Sequence, residues 1–159
     1  FYDYLSGTDD KDGREGNVKS FNTLYDTGHK YYGLIDLFLG VGKGTSGGTM
    51  GLGLQDLAIK GKIKPMDGWT LKADYHWFWT AEGAMANSTN SGLATPAAGN
   101  SWSNLLGNEL DITAVTKMNA NTKIMIGYSN FTTSRSMGQM KNLGANDINW
   151  GYVQFDVKF

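Results

Sequence analysis

Cysteine is absent from the 159 residues, which excludes disulfide bonds, thiolate metal sites and cysteine nucleophiles. No apolar run reaches the length of about 18 residues that a transmembrane helix needs, so such a helix is excluded as well. The 14 lysines and arginines are balanced by 15 aspartates and glutamates, and this balance gives no basic footprint for nucleic acid. A spanning β-barrel is not excluded, because its strands alternate and give weak hydropathy signals.

What is present is strict alternation, and it is clearest in residues 150–159. One set of alternate side chains is compatible with lipid: Phe159, Val157, Phe155, Val153 and Gly151. The other set is polar or amphipathic: Lys158, Asp156, Gln154, Tyr152 and Trp150. Such alternation predicts a strand with a different environment on each face. Ending on an aromatic residue, this segment resembles the closing strand of bacterial outer-membrane barrels, which the assembly machinery binds as a partner.

The rest of the chain repeats this pattern between two kinds of connection. Alternating segments at 54–64, 69–80, 108–117 and 123–131 follow a strand remnant at 1–5. Tight turns at 65–68 and 118–121 alternate along the chain with long loops at 81–106 and 132–147, as in outer-membrane barrels. The tryptophans of segment 69–80 lie at its ends, which is typical of an aromatic girdle and not of a soluble β-sandwich core.

The sequence therefore predicts an all-β fold, an antiparallel transmembrane β-barrel segment of about six strands with long extracellular loops. Because bacterial single-chain barrels have about eight strands or more, residues 1–159 are expected to be the C-terminal part of a larger barrel.

The alternation also assigns side chains to the two faces. The predicted pore-lining residues are Asp56, Lys60, Lys62, Lys72, Asp74, His76, Glu109, Asp111, Lys123, Gln154 and Asp156. The predicted membrane-facing girdle consists of Trp69, Tyr75, Trp77, Trp79, Phe155 and Phe159. Membrane lipid and lipopolysaccharide are the expected partners of this second set.

Strand parity places residues 6–53 in one long extracellular excursion, if the chain ends in the periplasm. Within it, the apolar residues Leu34, Ile35, Leu37 and Phe38 predict a short helix or an irregular strand that folds against or into the barrel mouth. The candidate constriction residues of this piece are His29, Lys30, Tyr31, Tyr32 and Asp36.

Several segments together resemble the alginate-export family of large outer-membrane barrels. They are Phe-Asn-Thr-Leu-Tyr at 21–25, Thr-Gly-His through Asp-Leu-Phe at 27–38, the strand at 71–79 with its long loop, and Gly-Asn-Glu-Leu-Asp-Ile-Thr at 107–113. The resemblance implies a channel in the outer membrane of a Gram-negative bacterium, for an anionic polysaccharide or another polar solute, with an extracellular loop that narrows the pore. In contrast to the arginine-rich pores of that family, the only arginines here are Arg14 and Arg135, both in loops.

Catalytic, metal and cofactor sites are not predicted. His29 and His76 are the only histidines, and a zinc site needs about three or four converging ligands. A hydrolase would need a nucleophile beside His76 with an orienting carboxylate, and alternation alone explains why Asp74 shares its face. Two functions stay open: a porin-like channel for a polar or anionic solute, and a structural barrel that holds a partner protein at the outer membrane.

Overall fold

The computed structural model describes residues 1–9, 17–21, 28–39, 49, 51–83, 103–140 and 146–159, without the side chains of residues 139 and 140. Parts of the expected excursion at 6–53 and of the loops at 81–106 and 132–147 therefore lie outside the described residues.

Six antiparallel strands form one sheet in which neighbours follow chain order. The strands are β1 (Tyr2–Leu5), β2 (Leu54–Ile63), β3 (Trp69–Trp79), β4 (Leu105–Lys117), β5 (Thr122–Thr133) and β6 (Ile148–Val157). This architecture confirms the predicted all-β, antiparallel fold of a barrel segment. No helix among the described residues is long and apolar enough to cross a membrane.

The register keeps the two sets of alternate side chains on opposite faces throughout the sheet. Ile59 lies opposite Tyr75, while Lys60 lies opposite Asp74 on the other face. We call the face of Lys60 the inner face and the face of Ile59 the outer face. No outer-face position of β2 to β6 carries a charged side chain. Apolar side chains on this face are widely exposed, with Ile59 at 66%.

Tight turns join the strands at one end of the sheet, which we call the turn end. In the turn after β2, Gly68 has a φ of 78°, a conformation that glycine adopts without the strain of a Cβ. In the turn after β4, the backbone N–H of Asn121 donates to the side chain of Asn119 at 2.9 Å, which is an Asx turn. The opposite end, where the long connections lie, is the loop end.

Three features of the fold depart most from the sequence predictions. The described stretch 28–39 contains turns and bends, so the short helix or strand expected from Leu34 to Phe38 is wrong. Strand β4 begins three residues before the predicted position 108, because a register irregularity at Phe78 and Trp79 lets pairing continue beyond Gly107. The predicted polar loop at 132–147 contains the helix α1 (Arg135–Met140).

Helix α1 begins at a capping residue. Ser134 accepts a hydrogen bond from the backbone N–H of Met137 at 3.0 Å through its hydroxyl oxygen, the usual role of a serine N-cap. The same hydroxyl donates to the carbonyl of Leu105, which ties the helix to the start of β4. Met137 is thereby held in the hydrophobic core.

The core lies at the loop end, on the inner face. Its buried members are Leu5, Tyr32, Phe38, Leu52, Leu54, Phe78, Leu106, Phe131 and Met137. Among the described residues, those from outside the sheet therefore pack on the loop-end half of the inner face and not on its turn-end half.

Candidate functional site

Residues 28–39, which we call the inner segment, pack on the inner face near the loop end. Their backbone is unusual because His29, Tyr32 and Asp36 have φ values of 55°, 63° and 61°. Left-handed conformations are uncommon for residues other than glycine and persist only where surrounding contacts determine them. Contacts with the sheet therefore hold this segment in its conformation.

Glu109 supplies the central attachment. Its Oε1 atom accepts hydrogen bonds from the backbone N–H groups of Leu34 at 2.7 Å and Ile35 at 2.9 Å. The Glu109 side chain is fully buried, and its carboxyl group satisfies two donors of half-buried residues. Gly33 lies directly against this carboxyl, and a Cβ there would come within 2.4 Å of Oε2.

Phe38 supplies an apolar attachment. Its ring centroid lies 4.7 Å from that of Phe78 on β3 and 5.8 Å from that of Phe131 on β5, and all three side chains are fully buried. Inner-face positions of these strands are otherwise mostly polar. Phe78 and Phe131 therefore form a local apolar patch on which the segment packs, and we call this patch the apolar seat.

Two further contacts reach the outermost strands. The Tyr32 hydroxyl donates to Asp3 of β1 at 2.9 Å, and burial together with this hydrogen bond raises the pKa of the hydroxyl far above its usual range. The His29 ring stacks on Trp150 of β6 with 4.8 Å between centroids, and Trp150 stacks on Tyr152 at 4.7 Å. The inner segment thus contacts both edges of the sheet.

The segment also closes on itself. Asp36 accepts a hydrogen bond from the backbone N–H of His29 at 2.8 Å, and its second oxygen lies 2.8 Å from the His29 Nδ1 atom. This ring closure explains how left-handed residues persist at both ends of the stretch.

A buried polar network lies on the inner face beside Glu109. The His76 Nδ1 atom is 2.9 Å from Asp56, and its Nε2 atom is 3.9 Å from Asp111. Ser129 donates to Asp111 at 2.5 Å. The serine hydroxyl is bonded to a carboxylate and not to the imidazole, so these residues do not form a serine–histidine nucleophile pair. No cluster among the described residues has the form of a metal site.

The predicted pore-lining residues fall into two groups on the inner face. Those near the inner segment are buried: Asp56, His76, Glu109 and Asp111. Those nearer the turn end are exposed or half-buried: Lys60, Lys62, Lys72, Asp74, Lys123, Gln154 and Asp156. All share one face as the alternation predicted, and their role in lining a pore stays a prediction.

The candidate constriction residues also divide. His29, Lys30 and Tyr31 are exposed, with the Lys30 ammonium 5.0 Å from the centroid of the Tyr31 ring. Tyr32 is buried and Asp36 is half-buried. The first three are therefore the candidate constriction residues that are open to solvent, and their role in a constriction stays a prediction.

The predicted girdle residues lie on the outer face. Trp69, Tyr75, Trp77, Trp79 and Phe155 occupy its alternate positions in β3 and β6. Phe159 follows the last strand and is fully exposed.

Sequence reasoning missed the residues that hold the inner segment. These are Asp3, Gly33, Phe38 as an anchor, Phe78, Phe131 and Trp150. One signal was available, since Phe78 and Phe131 interrupt a polar set of alternate positions. A large aromatic ring among polar side chains indicates that other apolar residues cover the ring.

Gly33 offers a first test of this packing. Gly33→Ala is expected to weaken docking of the inner segment, because φ is 84° there and the added Cβ would meet the Glu109 carboxyl. The cost is expected to be about 1–3 kcal/mol. Protease susceptibility of the folded protein would measure it. Gly68→Ala is the matched control, because it has a similar φ of 78° with open space around it. Equal susceptibility of both variants would contradict the packing role.

Comparison with known proteins gives one match. The family model for alginate export matches residues 1–142, most of the chain. No curated protein matches the chain significantly. No solved structure matches it either.

Proposed function

Because the chain belongs to the alginate-export family, a family of outer-membrane export proteins, we propose that it forms part of the wall of an outer-membrane channel for a polar or anionic solute. Export of an anionic polysaccharide is the specific form of this proposal. The inner face would line the water-filled lumen, the outer face would meet lipid, and the inner segment would narrow the passage. Such a channel wall requires no catalytic step.

The observation that carries the proposal is the complete separation of charge between the faces. Exposed side chains of the outer face are uncharged and rich in large apolar types, among them Ile59, Ile63, Val153 and Phe155 at 60% exposure or more. A water-soluble protein rarely exposes so large an apolar surface. In a membrane barrel, by contrast, an apolar band outside and a polar interior are required.

The height of the apolar band supports the same proposal. Strand β3 has 11 residues and carries Trp69 and Trp79 at its ends on the outer face. At about 3.4 Å per residue these ends lie about 34 Å apart along the strand. A tilt of about 40° reduces this to a height of about 26 Å, close to the band of about 25 Å in outer-membrane barrels.

The loop-end edge of the apolar band also shifts in position from one strand to the next, as tilted strands require. One row across the outer face joins Tyr75, Leu110, Asn130 and Asn149, and it changes from apolar on β3 and β4 to polar on β5 and β6. A membrane surface crosses strands tilted by about 40° at positions that shift by about one residue from each strand to the next. The descending polar edge is therefore what a tilted sheet in a bilayer would show.

Charge insertion on the two faces gives a matched test. Val153→Arg is expected to destabilise the folded protein in lipid vesicles by about 2–4 kcal/mol, because it places a cation in the apolar band. Gln154→Arg, its neighbour on the inner face, is expected to change stability little. Urea titration in vesicles would measure both. Equal effects of the two substitutions would contradict the assignment of the faces.

Conduction tests the function itself. The native protein, reconstituted in a planar bilayer, is expected to conduct ions with defined unitary steps. Absence of conduction by correctly folded protein would contradict the channel proposal and would favour a barrel that serves as a scaffold for a partner.

A further inference from the structure

We propose that the turn-end half of the inner face carries a two-point binding site for an extended polyanion, built from the lysine pairs Lys62–Lys72 and Lys117–Lys123. This inference rests on the proposed function, because it requires that the inner face meets water. It adds a defined site and a requirement on the ligand, namely several anionic groups spread along a chain.

Both lysine pairs are direct cross-strand neighbours. Lys62 of β2 lies opposite Lys72 of β3, and Lys117 of β4 lies opposite Lys123 of β5. Like charges in directly opposed positions destabilise a sheet. Two such pairs on one face therefore carry an electrostatic cost that a bound anion would relieve.

Protein carboxylates offset this charge only in part. Lys60 pairs with Asp74 at 3.4 Å. Among the residues that the structure describes, none of the four paired lysines has a carboxylate partner at ion-pair distance. Their positive charge is thus available to a ligand.

The lysines surround connected concave space. A cavity of about 270 Å³ is lined by Lys62, Lys72 and Lys123 together with the polar side chains of Thr70 and Gln154. Adjoining cavities of about 530 Å³ and 190 Å³ share Lys117 and Lys123. Across the three, six lysines stand against two aspartates. Thr70 and Gln154 add neutral donors that suit carboxylate oxygens.

The separation of the pairs determines the kind of ligand. Lys72 lies opposite Thr113, which is four positions from Lys117 along β4. Two strand spacings of about 4.8 Å and four residues of about 3.4 Å place the pairs about 17 Å apart. A single small anion can contact one pair only, whereas a chain with repeated carboxylates can contact both. Simultaneous contact raises affinity through effective concentration.

Current block in planar bilayers tests the site. The probes are an oligogalacturonate of about six residues, galacturonate monomer and neutral maltohexaose, applied to the native protein and to three variants. The variants are Lys62→Gln with Lys72→Gln, Lys117→Gln with Lys123→Gln, and all four together. Lys19→Gln, an exposed lysine outside the inner face, is the control.

Each double variant is expected to raise the blocking concentration of the oligogalacturonate about tenfold, the factor that two exposed ion contacts give together. The quadruple variant is expected to raise it about a hundredfold, while block by maltohexaose stays unchanged. The monomer, which reaches one pair at a time, is expected to lose much less than the oligomer in the quadruple variant.

The two failures are distinguishable. If native protein conducts and the oligomer blocks the quadruple variant as well as the native protein, the lysine site is wrong and the channel stands. If one double variant produces the full loss and the other none, two-point binding is wrong. If folded native protein does not conduct at all, the proposed function itself fails.

Discussion

Glu109→Ala is expected to release the inner segment and to produce a channel with larger and noisier unitary conductance than the native protein. The substitution leaves the backbone N–H groups of Leu34 and Ile35 without their acceptor in a partly buried place. At about 1–3 kcal/mol for each orphaned donor, docking of the segment weakens by about 2–6 kcal/mol. A shift at the upper end of this range can convert a segment that is mostly docked into one that is mostly released.

Glu109→Gln is the matched control. It keeps an acceptor oxygen for both N–H groups and offers an amide donor toward Asp111, where buried oxygens of both carboxyls lack a hydrogen-bond partner among the described residues. The glutamine variant is therefore expected to keep the native conductance. An alanine variant that conducts as the native protein does would show that Glu109 does not hold the segment in place.

Phe38→Ala is expected to cost docking of the same segment about 3–5 kcal/mol, the range for removing a fully buried phenylalanine. The loss would uncover Phe78 and Phe131 to solvent. Hydrogen exchange of the Leu34 and Ile35 amides measures this directly, and it is expected to accelerate about a hundredfold or more.

Tyr31→Ala provides the comparison for this prediction, because Tyr31 is exposed on the same segment. Its effect on exchange is expected to be small. Slow exchange in the Phe38→Ala protein would mean that the hydrogen bonds to Glu109 hold the segment without the apolar seat.

The two predictions concern contacts that the sequence did not reveal, whereas the sheet itself was predictable. Strands β2 to β6 alternate between lipid-compatible and polar side chains, and a two-residue period has one structural solution. Turn residues such as Gly68 and Asn119 marked the short connections through their local conformational preferences. These signals act within a few residues of the chain.

The inner segment could not be predicted because its stabilisation is not local. Phe38 meets Phe131 from far along the chain, and Glu109 binds backbone groups that every residue possesses. Alternation identified the face on which Glu109 lies but gave no sign of what it binds. The short helix α1 was missed for a related reason, since six residues show too little periodicity and its serine cap is a weak signal.

The central claim is that alternate side chains of one strand meet water and lipid, and single-cysteine labelling tests it most directly. Residues 1–159 contain no cysteine, so each substitution introduces the only thiol of this segment. Strand β6 offers a consecutive series from Val153 to Asp156 in which two positions face each way.

A water-soluble, membrane-impermeant thiol reagent, applied to the protein in outer membranes, is expected to label cysteines at Gln154 and Asp156 readily and those at Val153 and Phe155 slowly. A lipid-soluble quencher is expected to give the opposite pattern. Equal labelling of all four positions, or labelling with the parity reversed, would contradict the account.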